Sequence, residues 1–127
     1  DELARLPQVR EPLELVRHAD VLLYGIGRAM DLAQRRGLSR AEQETLRAEG
    51  AVAEALGFYL NAEGHVVGGG SSLAFKPEDI GRKNRAAAVA AGRAKAEAIL
   101  AVCAHHPHKL LVVDEGAALR MLELLRP

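Results

Sequence analysis

Lys95 stands three residues after Gly92, where an apolar run, residues 86–91, gives way to a helix-favouring stretch. A strand that ends in glycine and opens a helix offers backbone N–H groups and a positive dipole end to an anion. A lysine in that first turn is repelled by the dipole unless an anion lies between them, so Gly92 and Lys95 together point to phosphate chemistry. Gly25 and Gly27 flank Ile26 after the apolar run Val21–Tyr24 and before a helical stretch. They fit either close backbone approach to a ligand at the carboxyl end of a sheet or an ordinary tight turn. Met30 takes the place of the third glycine of a dinucleotide fingerprint, and no acidic residue follows at the expected separation, so nicotinamide binding is not indicated.

Arg35 and Arg36 precede Gly37. Two cations there complement a helix C-terminus; guanidinium forks also match phosphate oxygens. Glu54 lies in the otherwise apolar segment 51–60. It belongs either on the solvent face of a half-buried strand or, if buried, against a partner or the hydroxyls of a sugar. Asp114 reads as a helix cap or as a site residue at a strand end. His105, His106 and His108 surround Pro107 in what reads as a solvated connecting turn, and no carboxylate or thiol completes a metal site there. No metal and no cofactor are expected, and no Ser–His–acid or Cys–His set can be placed.

These residues need positioning. The spacing of Val9, Leu13 and Val16 predicts a helix over 7–18, followed by a strand over 20–24 and a helix over 28–36. Ser39 with Glu42 forms a capping box for a helix running to about Glu49. Residues 51–60 read as one strand, 61–64 as a turn, and 65–67 as a return. The run from Gly68 to Ser72 reads as a flexible connection, and Pro77 as the start of a short helix. Residues 86–102 suit one long helix on propensity alone, but Gly92 favours strand, then helix. A strand over 110–113 and a helix over 114–125, with Leu119, Leu122 and Leu125 as its stripe, close the chain. The alternation predicts an α/β fold with a mostly parallel sheet and covering helices.

At 127 residues the chain is one domain at most. Its 17 basic and 17 acidic residues cancel, which disfavours a direct grip on nucleic acid. No apolar run approaches the roughly 20 residues of a membrane span, and the charged start is unlike a signal peptide. A single cysteine, Cys103, fits a reducing cytoplasm. The abrupt start, without an initiator Met, suggests a fragment of something longer.

Five segments carry a resemblance: 24–30 (Tyr-Gly-Ile-Gly-Arg-Ala-Met), 32–36 (Leu-Ala-Gln-Arg-Arg), 50–64, 90–99 (Ala-Ala-Gly-Arg-Ala-Lys-Ala-Glu-Ala-Ile) and 112–118 (Val-Val-Asp-Glu-Gly-Ala-Ala). In this order they resemble the SorC-type bacterial repressors, and among them those of the central glycolytic genes, over residues 8–126. The resemblance implies a Rossmann-like sandwich of the sugar-phosphate isomerase and deaminase type. It implies a phosphorylated sugar effector, fructose-1,6-bisphosphate first, with Arg35 and Lys95 on phosphate and Glu54 on the sugar. Family members also carry an N-terminal DNA-binding domain and an effector domain about twice this length. Residues 1–127 therefore resemble the C-terminal half of that domain, and operator DNA would be met through the absent N-terminal domain. A homo-oligomer is expected. Two departures stand out. The loop before the family's lysine usually reads Ala-Gly-Gly-Ser-Ser-Lys, whereas Arg93 and Ala94 occupy it here. The usual aspartate after Gly-Ile-Gly is Arg28.

Two other readings compete with a sensor. Relatives of the fold isomerise or deaminate sugar phosphates, for which Glu54 or Asp114 would be the candidate base. The leucine-rich last helix also suits a pure oligomerisation module.

Overall fold

The structure is a computed structural model that describes residues 2–70, 75–80, 85–105 and 110–127. Helix α1 (Pro7–His18) leads into strand β1 (Val21–Gly25), followed by a two-residue strand β2 (Gly27–Arg28), helix α2 (Ala29–Arg35) and helix α3 (Arg40–Ala48). Strands β3 (Ala51–Ala55), β4 (Phe58–Asn61) and β5 (Val66–Gly69) come next, then a short helix α4 (Pro77–Ile80) and strand β6 (Arg85–Ala90). A 3-10 turn (Arg93–Lys95) runs into helix α5 (Ala96–His105), and strand β7 (Leu110–Val113) and helix α6 (Glu115–Leu125) close the order.

The strands form two sheets. One is parallel, in the order β1-β6-β7, as the strand–helix alternation predicts. The other is antiparallel, in the order β2-β3-β4-β5. Sequence periodicity treats 51–60 as one strand; the structure splits it at Leu56 and Gly57, whose φ angles of 55° and 88° are both left-handed. Tight two-residue hairpins demand that backbone, and leucine is an unusual residue to adopt it, which hides the turn. Gly68 and Gly69 are strand residues too, not a flexible connection. A Cβ on Gly68 would lie 2.5 Å from Leu46 Cδ2, so Leu46 of α3 packs directly onto the bare backbone.

The long-helix alternative for 86–102 does not occur. Gly92, at φ 104°, breaks the chain between β6 and the turn into α5. Helix α5 then buries Ala96, Ala98, Ile99, Ala101 and Val102. Burial over most of its surface, with Glu97 and Ala104 left exposed, fits a helix with neighbours on more than one side. Its partners are Leu22, Tyr24, Ala88 and Ala90 of the parallel sheet and Ala53, Ala55 and Leu60 of the antiparallel one, in one continuous core. The opposite face of the antiparallel sheet carries a smaller core of Ala29, Ala33, Leu46 and Tyr59 beneath α2 and α3. The capping box starts α3 as the sequence indicates: Glu42 Oε2 accepts from Ser39 N–H at 2.7 Å, and Ser39 Oγ accepts from Glu42 N–H at 3.3 Å.

The other face of the parallel sheet is bare. Val21, Leu23, Val89, Leu110 and Val112 point outward with 42–67 % of their surfaces exposed. In register they form continuous rows, Leu23–Ala87–Leu110 and Gly25–Val89–Val112. Helix α1 buries none of its residues. The stripe of α6 also faces outward, with Leu119, Leu122 and Leu125 more than half exposed.

Candidate ligand-binding site

The three parallel strands end along one edge, since Gly25 is in register with Val89 and Val89 with Val112. The turns that follow, at Gly25–Gly27, Gly92–Lys95 and Asp114–Gly116, form a common rim. Asp114 ties two of them together. Its carboxylate accepts from Gly92 N–H at 3.1 and 3.0 Å and from Ala117 N–H at 2.9 Å. The bonds from Ala117 and then Gly92 hold this carboxyl below the usual carboxylate range. Asp114 is thus the cap of α6, and its acceptors are committed to the backbone, which leaves it a poor general base. The same bonds correct one expectation. The Gly92 N–H that the sequence offers to an anion is already held by Asp114.

Lys95 is half-buried at the end of the 3-10 turn, with its own N–H on Gly92 O at 2.9 Å. Arg93 turns away from the rim: it donates to Glu123 Oε2 at 2.7 Å, beside Arg120 at 2.8 Å. The hydrogen bonds from Arg120 and then Arg93 keep the Glu123 carboxyl below its ordinary range. Arg28 lies 3.6 Å from Asp31 and, with Ala94 and Glu97, lines a small cleft of about 170 Å³ between α2 and α5.

The antiparallel sheet supplies the polar part of the site. Gly27, Glu54, Tyr59 and Gly68 occupy successive positions across its four strands, forming one transverse row. The two glycines are spanned by side chains from the helices above, Leu32 over Gly27 and Leu46 over Gly68. Glu54 is 6 % exposed and is the one buried charged residue among those described. Its Oε1 accepts from Arg36 Nη2 at 2.8 Å and from Gly57 N–H at 2.7 Å. Burial opposes the Arg36 charge, but the hydrogen bond and attraction to Glu54 outweigh it and raise its pKa. Tyr59 Oη is buried beside the same guanidinium without a well-formed hydrogen bond. A wider cleft of about 480 Å³ opens between α3 and β5, with Arg36, Gly57 and Tyr59 in its wall.

The fold therefore brings Gly25, Gly27 and Gly92 to one edge and sets Glu54 against Gly27. Arg35, the last residue of α2, is exposed; the arginine on Glu54 is its neighbour Arg36. Sequence reasoning did not single out Arg36 alone, Gly57 or Tyr59. The available signals were the Arg-Arg dipeptide and a glycine three residues after a glutamate in an apolar run. Among the described residues no group of three His, Cys, Asp or Glu side chains is placed to hold a metal. His105 ends α5, while His106, Pro107 and His108 lie outside the described residues. No described helix is long and apolar enough to cross a membrane.

Residues 1–123 match the family described as "Putative sugar-binding domain". The chain belongs to this sugar-binding domain family. It is 40% identical over 116 residues to the Central glycolytic genes regulator of Bacillus subtilis, covering 91% of this chain and 34% of that one. The regulator of the same name from Priestia megaterium is 36% identical over 112 residues, covering 88% and 33%. Among solved structures, a "putative SorC family transcriptional regulator" from Enterococcus faecalis superposes with a TM-score of 0.88 at 34% identity, over 95% of this chain and 49% of that one. The full-length sorbitol operon regulator SorC from Klebsiella pneumoniae shares the fold, with a TM-score of 0.81 at 17% identity over 95% and 41%. The α/β architecture and the resemblance to SorC-type regulators are thereby borne out. The chain spans about a third of the length of its curated relatives and about half of the Enterococcus structure.

Proposed function

We propose that this chain is the C-terminal half of the effector-binding domain of a bacterial regulator of glycolytic genes, and that it senses a phosphorylated sugar. One observation carries the reading. Glu54, a buried carboxylate with one oxygen uncommitted, is set by strand register against the Gly25–Gly27 turn at the carboxyl edge of the parallel sheet. Ligands of α/β folds gather at that edge, and a fixed acceptor there suits the hydroxyls of a neutral polyol. Lys95 on the same rim and Arg35 at the end of α2 would hold phosphate beside the Gly92 turn, whose own N–H stays on Asp114, and fructose-1,6-bisphosphate is the first effector to try. The regulators named above and the sugar-binding family support the class.

The bare apolar face supports the half-domain assignment. Parallel sheets are covered on both faces, and here one face is open while the similar Enterococcus chain is about twice as long. An upstream segment of the complete protein covers that face and completes the pocket. Operator DNA is met by a separate N-terminal domain, the assembly is a homo-oligomer, and the protein works in the cytoplasm. Effector binding shifts the protein between states that differ in DNA affinity or assembly.

The test is thermal stabilisation of the complete protein by a panel of sugar phosphates. A ligand selective for the folded state adds about 2.7 kcal/mol at a hundred times its dissociation constant. A shift with fructose-1,6-bisphosphate that is lost in Lys95→Ala supports the sensor and its effector. No shift with any sugar phosphate discards the glycolytic assignment.

A further inference from the structure

Arg36 is the charged partner of Glu54, and the geometry of that pair divides the carboxylate in two. Oε1 takes both bonds, one from Arg36 Nη2 and one from Gly57 N–H, at 2.8 and 2.7 Å. Oε2 takes none among the described residues. It faces Gly27, lying 3.9 Å from where a Cβ on that glycine would stand. The carboxylate is held at Oε1, and its free oxygen lies beside Gly27, under Leu32, where β2 follows the turn at the end of β1. Two donors of different origin fix the same oxygen. The Gly57 N–H comes from the tight β3–β4 turn and is part of the backbone; Arg36 comes from the C-cap of α2. Only the arginine contributes charge, and Tyr59 packs beside it in the same transverse row.

We propose that Arg36 is a positioning residue: by clamping Glu54 Oε1 against the β3–β4 turn, it delivers Oε2 to the rim as the acceptor for a sugar hydroxyl. This deepens the function proposed above and rests on its placing of Glu54 on the sugar. Arg36 itself does not touch the effector. Its effect is confined to the hydroxyl-bearing part of the ligand, whereas Lys95 acts on the phosphate.

The experiment is a double-mutant cycle in the complete protein with Arg36→Met, Glu54→Gln and the pair together, plus Arg36→Lys. Calorimetric titration uses fructose-1,6-bisphosphate and, separately, inorganic phosphate, which has no sugar hydroxyl. Arg36→Met is expected to weaken the sugar bisphosphate about tenfold, the scale of one hydrogen bond to a charged group. Phosphate affinity should stay within about twofold, Arg36→Lys should recover part of the loss, and the pair should be no worse than Glu54→Gln alone, since coupled residues are not additive. Additive losses, or an equal loss for inorganic phosphate, would show that Arg36 contacts the ligand and overturn its positioning role. A loss in Glu54→Gln with none in Arg36→Met also overturns it, while leaving Glu54 on the sugar. No loss in either variant removes Glu54 from the sugar site and, with it, the function as proposed. If Arg36→Met fails to fold because it strands a buried carboxylate, Arg36→Lys against the paired variant gives the same comparison.

Discussion

The two sheets of this molecule solve opposite problems. The antiparallel sheet is sealed on both faces, by α5 on one side and by α2 and α3 on the other, and spends that burial on a charge, Glu54. The parallel sheet is sealed on one face only, and its outer rows of Val, Leu and Ala are open. A buried carboxylate is costly unless bonded, and here Arg36 and Gly57 satisfy it within the chain. Nothing among the described residues covers the exposed apolar sheet face. The first region is self-sufficient and chemically specific. The second asks for a neighbour.

The sharpest stress on that contrast is the helix both sheets share. Ile99 is fully buried between them, and Ile99→Ala should cost about 2–5 kcal/mol, read as a fall in the urea midpoint at unchanged slope. A loss below about 1 kcal/mol would mean that the two sheets do not share one core. Next comes the rim. In the complete protein, Lys95→Ala and Arg35→Ala should each weaken sugar-phosphate binding about tenfold or more, the scale of a lost charged hydrogen bond, with melting temperature unchanged without ligand. Unaltered affinity in both would remove phosphate binding from this edge.

The bare face is tested by Leu23→Asn, at a residue 67 % exposed. It should change the stability of the isolated chain by less than about 0.5 kcal/mol, as surface substitutions do, yet destabilise the complete protein by about 1–3 kcal/mol, the worth of one buried aliphatic side chain. Equal small effects in both would show that the face stays open in the complete protein. The smallest effect concerns pH. Asp114 is held below its ordinary range by the N–H groups of Ala117 and Gly92, so its folded pKa lies under its unfolded one. The stability it adds is fully present above the unfolded value of about 3.9 and is lost as pH falls through the folded value. Asp114→Asn should therefore lower stability near neutral pH and narrow the gap to the parent as the pH drops below about 3.9. A gap independent of pH would mean that the carboxylate charge contributes nothing to the cap.

Much of this architecture is written in local signals. The boundaries of α1, β7 and α6, the capping box at Ser39 and the break at Gly92 all follow from residues within one turn of each other. What escaped was non-local. The β3–β4 hairpin carries Leu56 where a glycine or asparagine would announce the turn. Gly68 and Gly69 look like a linker until Leu46 is seen packed on one and the Gly57 carbonyl on the other. Periodicity marks the Leu119, Leu122 and Leu125 stripe of α6, but only the structure shows that it faces outward.

The candidate site divides the same way. Residue type and order mark Gly25, Gly27, the Arg35–Arg36 pair, Glu54, Gly92 and Lys95 as candidates, because backbone freedom and charge are local properties, and the family resemblance narrows the pair to Arg35. Which arginine of the pair at 35 and 36 meets Glu54 depends on how the end of α2 sits over β3. Which carboxylate oxygen stays free depends on the register that places Gly27 opposite Glu54. Whether the Gly92 N–H is available depends on Asp114, 22 residues away in sequence. Each of these is a contact between segments that a chain cannot specify one turn at a time; only the packing of helix on sheet decides them.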